Sequence, residues 1–140
     1  RYIKSFPTNK IELGKAILAN KKNLKKIIKI IHPIVRKEMN FFIKKNKEKK
    51  LIVLDIPLLI ENKLYKKKDI LIFIDAKKFD INLRLDKRSN FNKKLLNNLR
   101  NIQKPLSVKK KLSNYVIKND FKLLTIKKRI KVIKKKILKK

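Results

Sequence analysis

Ten carboxylates stand among 43 basic side chains in this 140-residue chain, so each place where an acid is set against an apolar run is informative. Leu51-Ile-Val-Leu-Asp55-Ile-Pro-Leu-Leu-Ile-Glu61 is the sharpest of these. Four apolar residues lead into Asp55, and Pro57, an apolar patch and Glu61 follow. A carboxylate at the end of a buried strand can hold a divalent cation directly or through water, or orient a hydroxyl for attack. It can equally cap the following helix. Pro57, Leu58 and Leu59 can wall a ligand pocket or pack a helix onto a sheet. Asp75 ends a second apolar run and is a cap or a nucleotide contact. Arg84, Arg88 and Arg100 are three of only six arginines, and planar guanidinium groups suit phosphate clamping and base stacking. Arg84 and Arg88 share a face if one helix carries both. His32, the single histidine, precedes Pro33, and the pair reads as a bend more than as a proton-transfer site. Arg36, one turn on, suits a phosphate or a surface ion pair.

These side chains need a scaffold, and the apolar spacing supplies one. Lys10 to Ala19 has helical spacing. A helix capped by Asn23 carries Leu24, Ile27, Ile28 and Ile31, with a break expected near His32 and a second helix from about Ile34 to Lys47. The runs 51–55 and 69–75 read as strands buried on both faces. A short helix is expected over 58–65, a helix over 78–87, and another over 92–102 beginning at Asn90. A short basic helix over 108–112, a strand over 115–117, and a terminal helix capped by Asn119 and Asp120 complete the pattern. Tyr2 to Phe6 reads as a helix end, and the last lysines as a fraying tail. Strands alternating with helices imply an α/β fold with a parallel sheet covered on both faces.

The composition sets outer bounds. An apolar fraction of 43% supports a core. No apolar run approaches the roughly 18 residues needed to span a bilayer, and residues 1–10 lack a secretory pattern. Absence of cysteine excludes disulfides and zinc thiolates and suits a cytoplasmic protein. No membrane partner is expected, and the chain reads as a monomer. The net charge of +33 points to phosphate-bearing partners, or reflects a genome whose A/T-rich codons favour lysine, isoleucine and asparagine. Either way, non-specific polyanion binding is expected at low salt.

The segment Asp55 to Glu61 resembles the D-I-P-L-L-F-E signature of the dephospho-CoA kinases, with Ile60 in place of the aromatic. Leu13-Gly14-Lys15 and Ile30-Ile31-His32-Pro33-Ile34-Val35-Arg36 are similar to that family's L-G-K and I-I-H-P-x-V-R segments. Arg84, Arg88, Gln103-Lys-Pro105-Leu106 and Ser113-Asn-Tyr115-Val116-Ile117-Lys-Asn119 resemble its lid and last strand. The resemblance implies a P-loop kinase-like three-layer α/β/α fold with a helical acceptor-binding region (about 8–48), core strands (51–75), a lid (about 84–112) and a last strand with C-terminal helix (115–140). It implies transfer of a phosphoryl group from ATP, with Mg²⁺, to the 3′-hydroxyl of dephospho-CoA. Asp55 and Arg88 would serve catalysis, with Mg²⁺ on Asp55. His32, Arg36, Pro57, Leu58, Leu59 and Glu61 would hold the acceptor, and Arg84 and Arg100 the nucleotide. The apolar patch would wall an adenine or pantetheine moiety. The family's G-x-x-x-x-G-K-S/T loop does not occur, and the only glycine is Gly14. The resemblance therefore implies that the first βα unit is missing, and that these 140 residues alone fold poorly and do not catalyse. The alternatives are a non-enzymatic nucleic-acid binder and another nucleotide-family P-loop kinase, such as a nucleoside monophosphate kinase.

Overall fold

The computed structural model describes residues 7, 9–89 and 91–139. The helix end expected at Tyr2 to Phe6 and the helix start expected at Asn90 lie outside these residues. Within the stretch read from the sequence as one domain, contacts define two compact units. One runs up to Asp55 and takes in Asn92–Ile102; the other comprises Ile56–Phe91 and the residues from Gln103 onward.

The first unit is helical. α1 (Lys10–Ala19) starts at Asn9, whose side chain accepts the Glu12 N–H at 2.8 Å. Asn20 ends α1 and caps α2 (Lys21–Lys45), accepting the Lys22 N–H at 2.8 Å. Asn23, expected to be the cap, lies inside α2 instead, and its amide donates to the Ala16 carbonyl at 2.8 Å. That bond fixes the corner between α1 and α2. The break expected near His32 does not occur, and α2 runs through Pro33. Proline inside a helix costs about 3 kcal/mol or more. One apolar face spans the site, however: Leu24, Ile28, Val35, Met39 and Ile43 are all partly covered and share one side of a single helix. Splitting the helix would rotate the two halves of that stripe apart. α4 (Lys93–Arg100) is capped by Asn92, which accepts the Leu95 N–H at 2.8 Å, and packs on α1. Ala16 and Ile17 are the buried residues of this unit among those described.

Leu51–Asp55 also belongs here and is not a strand, contrary to the sequence reading. Val53 is 78% exposed. A strand must pair its N–H and C=O groups with a neighbour. Among the described residues the ladder pairs only β1 with β2 and offers this run no partner.

The second unit holds that ladder. β1 (Ile72–Ala76) and β2 (Tyr115–Asn119) are parallel, in register from Ile72↔Tyr115 to Ala76↔Asn119. The amino end of the pair is closed by Asn114. Its side-chain oxygen accepts the Leu71 N–H at 2.8 Å, and its own N–H donates to the Leu71 carbonyl at 2.8 Å. One asparagine thus continues the ladder by a step and pins its register. Between the strands lie α3 (Lys78–Asp86) and α5 (Leu106–Leu112). α6 (Leu123–Leu138) packs on β2. Leu64, Leu71 and Ile117 form the buried core. Mixed α/β architecture with a parallel sheet is therefore observed. The cover is partial, since Ile74 beside Ile117 keeps 54% of its exposure.

The short helix expected over 58–65 contracts to a turn, residues 57–63. The Asn62 N–H donates to the Leu58 carbonyl at 3.0 Å, making one helical turn. Lys63 then enters the left-handed region (φ 49°), and the Leu64 N–H closes onto the Leu59 carbonyl at 3.0 Å, in the manner of a helix C-terminus. Leu64, directed into the core, is what the reversal achieves.

Candidate active site

Parallel strands present their carboxyl ends on one edge, where α/β proteins place ligands. In the second unit that edge carries three polar groupings. Asp75, opposite Lys118 in the ladder, pairs through Oδ2 with Lys110 Nζ at 2.8 Å. Asn119, the last residue of β2, accepts the Phe121 N–H at 2.8 Å through Oδ1 and turns the chain sharply. Phe121 sits in the left-handed region (φ 59°), an uncommon place for an aromatic residue. Its ring lies under the Arg84 guanidinium, whose carbon is 4.0 Å from the ring centroid. Arg129 donates to the Lys118 carbonyl and lies 3.6 Å from Asp120. Asn119 and Asp120 do not cap α6 directly, as expected from sequence. They build the turn that precedes it, Asp120 accepting the Lys122 N–H at 3.2 Å, and Lys122 takes the cap position without a side-chain bond.

The turn 57–63 meets the segment 103–112 in the same unit. Glu61 Oε1 accepts both Lys109 Nζ and the Lys104 N–H, each at 2.8 Å. Lys109 Nζ also reaches Gln103 Oε1 at 3.2 Å. Burial pushes the Glu61 carboxyl up, but the Lys109 hydrogen bond and charge, with the backbone N–H groups of Glu61 and Lys104, outweigh it. The group stays below the ordinary glutamate range.

The sequence-marked residues fall in both units. His32 and Arg36 stand one turn apart on α2, and Arg100 closes α4, all in the first unit with Asp55, which is exposed. Pro57, Leu58, Leu59, Glu61, Arg84 and Arg88 belong to the second. Arg84 and Arg88 do not share a helix face: α3 ends at Asp86, and Arg88 lies in the turn beyond it, its N–H on the Leu85 carbonyl at 3.0 Å. The structure brings Arg84 to Phe121 and Glu61 to Lys109, two partners the sequence did not single out. Asn119 was read from the sequence as a helix cap, not as the residue that turns the chain at Phe121. Lys109 was not legible, being one lysine in a lysine-rich chain.

A model of the family described as dephospho-CoA kinase matches residues 8–125. The chain belongs to the dephospho-CoA kinase family. It is 37% identical over 107 residues to the dephospho-CoA kinase of Wolbachia pipientis wMel, covering 75% of this chain and 54% of that protein. It is 36% identical over 129 residues to the dephospho-CoA kinase of Bacillus cereus (strain ATCC 14579), covering 89% and 64%. It is 26% identical over 118 residues to the protein of that name from Zymomonas mobilis, covering 84% and 60%. The chain thus spans between half and two thirds of the length of these relatives. Among the described residues no helix is long and apolar enough to cross a membrane, and no group of three or more His, Cys, Asp or Glu side chains could hold a metal ion.

Proposed function

We propose that this chain contributes the acceptor-binding and lid parts of a dephospho-CoA kinase. The observation that carries the reading is the family match over residues 8–125. In the reaction, the 3′-hydroxyl oxygen of dephospho-CoA forms a bond to the γ-phosphorus of ATP. The bond to the β–γ bridging oxygen breaks, ADP leaves, and the hydroxyl proton is lost. Positioning and charge stabilisation dominate such transfers.

The residues divide the work as follows. Arg84, stacked over Phe121 at the carboxyl edge of the parallel pair, suits the base or phosphates of the nucleotide. Arg88, just beyond α3, is the lid arginine that closes over the transferring phosphoryl group, and Arg100 adds charge on α4. Within the first unit, His32 and Arg36 on α2 are assigned to the acceptor, and within the second unit the Pro57–Leu59 side of the turn is. The exposed Asp55 is a hard oxygen donor, which fits Mg²⁺, an ion that commonly takes one or two carboxylates with water and substrate phosphates. Asp55 would then be this chain's contribution to holding the ion. When bound, it supplies neutralisation of charge on the phosphates. The phosphate cradle is not among these 140 residues, whose one glycine lies inside α1, so the 140 residues alone are expected to be inert. The location is proposed to be cytoplasmic and the kinase monomeric, with polyanion binding limited to low salt.

Titration calorimetry on the full-length protein tests the assignment of ligands. Dephospho-CoA is expected to bind with micromolar or better affinity and AMP at least about tenfold more weakly. Preference for AMP supports a nucleoside monophosphate kinase instead. Binding of short RNA that survives physiological salt, with no binding of dephospho-CoA, overturns the reading in favour of a nucleic-acid binder.

A further inference from the structure

Glu61 stands in the segment that resembles an acceptor-binding signature, yet its carboxylate is committed to the chain itself. Oε1 receives Lys109 Nζ and the Lys104 N–H, and Lys109 reaches on to Gln103. The pair is well shielded: Glu61 keeps 10% of its side-chain exposure and Lys109 16%, against 35% and 51% for Asp75 and Lys110. Two groups from 103–109, the Lys109 ammonium and the Lys104 N–H, therefore converge on the Glu61 carboxylate, and Gln103 holds the first of them.

That turn needs such an anchor. Leu58 (φ 56°) and Lys63 (φ 49°) both occupy the left-handed region, which residues with a Cβ avoid. Conformations of this kind persist only where the surroundings over-determine them. Inside the turn the restraint is three backbone hydrogen bonds, of the Asn62, Lys63 and Leu64 N–H groups. The Glu61 knot adds a long-range tie across 43 residues of sequence to Lys104.

We propose that Glu61 and Lys109 are positioning residues: they hold the Leu58-bearing turn against the 103–112 segment in the shape that receives the acceptor, without touching it. This rests on the dephospho-CoA kinase reading, because only that reading gives the turn an acceptor to receive. It reassigns Glu61 from ligand contact to support, and it gives Lys109 a role that no other lysine of α5 shares.

The test uses the full-length protein and the variants Lys109→Met, Lys109→Arg and Glu61→Gln, with two readouts. Steady-state kinetics are expected to show KM for dephospho-CoA raised roughly tenfold in Lys109→Met and Glu61→Gln, with KM for ATP within about twofold. Amide hydrogen exchange is expected to quicken roughly tenfold at Asn62, Lys63 and Leu64 and to stay unchanged in β1 and β2. Lys109→Arg is expected to restore both. Faster exchange in the turn with an unchanged acceptor KM overturns the proposal, leaving a staple without a positioning role. Unchanged exchange in the turn, or a uniform rise across both units with both KM values, also overturns it. If the wild-type protein does not phosphorylate dephospho-CoA at all, the functional reading fails, and the acceptor-positioning proposal falls with it. The exchange data then still report whether the knot holds the turn.

Discussion

Leu51–Asp55 and Ile70–Asp75 look alike on paper, each an apolar run ending in an aspartate, and they have different fates. The second runs into β1, which is paired along its length with β2 and pinned at its start by Asn114. The first has no strand partner among the described residues, and Val53 in its middle is 78% exposed. Apolar content and β-branching make a segment competent to be a strand, but a neighbour makes it one, because every N–H and C=O must be paired. The same contrast separates the two aspartates. Asp75 is anchored by Lys110, while Asp55 is exposed.

Substitutions sharpen this comparison. The largest expected effect is at Ile117, 6% exposed at the centre of β2. Ile117→Ala is expected to lower stability by about 2–5 kcal/mol, measured by urea denaturation of the full-length protein. Val53→Ala in the other run is expected to change it by no more than about 0.5 kcal/mol. Equal losses at the two positions contradict the contrast. Next comes Asn114→Ala, which strands the partly buried Leu71 N–H and is expected to cost about 1–3 kcal/mol, with exchange quickening first at the amino end of the ladder. Gly14→Ala goes the other way. Among the described residues a Cβ there meets only Leu95 Cδ2 at 3.6 Å, an ordinary contact, so the gain in helix propensity raises stability by up to about 1 kcal/mol. A small effect is also expected at Asp75→Asn, whose exposed pair with Lys110 is worth no more than about 1 kcal/mol and fades with salt.

Acid separates the anchored carboxylate at 61 from the rest. The Glu61 carboxyl is held below its ordinary value of 4.5 when folded. Its contribution to stability is therefore full above that ordinary value and is lost as pH falls through the lower, folded one. Glu61→Gln is expected to flatten this part of the stability–pH curve, and an unaltered curve contradicts the anchoring.

Much of the scaffold was legible in the sequence because it is local. The spacing of Leu13, Ile17 and Leu18 gave α1, and Phe79 and Leu83 gave α3. The alternation of elements gave a parallel pair. Several errors are shifts of a helix end by a few residues, as at Asn23 and Asn119–Asp120, and the larger ones are cases where residues further along the chain decide. Pro33 signals a break, but the stripe from Leu24 to Ile43 outweighs it. Leu58 and Lys63 carry no sign of left-handed backbone, which is set by the closure of Leu64 onto the core and by Glu61 reaching Lys104. The arginines stood out in the sequence by their rarity. What each arginine touches was not legible, since Phe121 lies 37 residues from Arg84 in sequence and Lys109 looks like its neighbours Lys110 and Lys111.

The most direct test of the central claim is phosphoryl transfer by the full-length protein from γ-labelled ATP, with dephospho-CoA as acceptor and Mg²⁺ present. Label appearing in coenzyme A, dependent on dephospho-CoA and reduced by about a hundredfold or more in Arg88→Ala, is the predicted result. No transfer to dephospho-CoA by a folded, full-length protein, or transfer to a nucleoside monophosphate in its place, contradicts it.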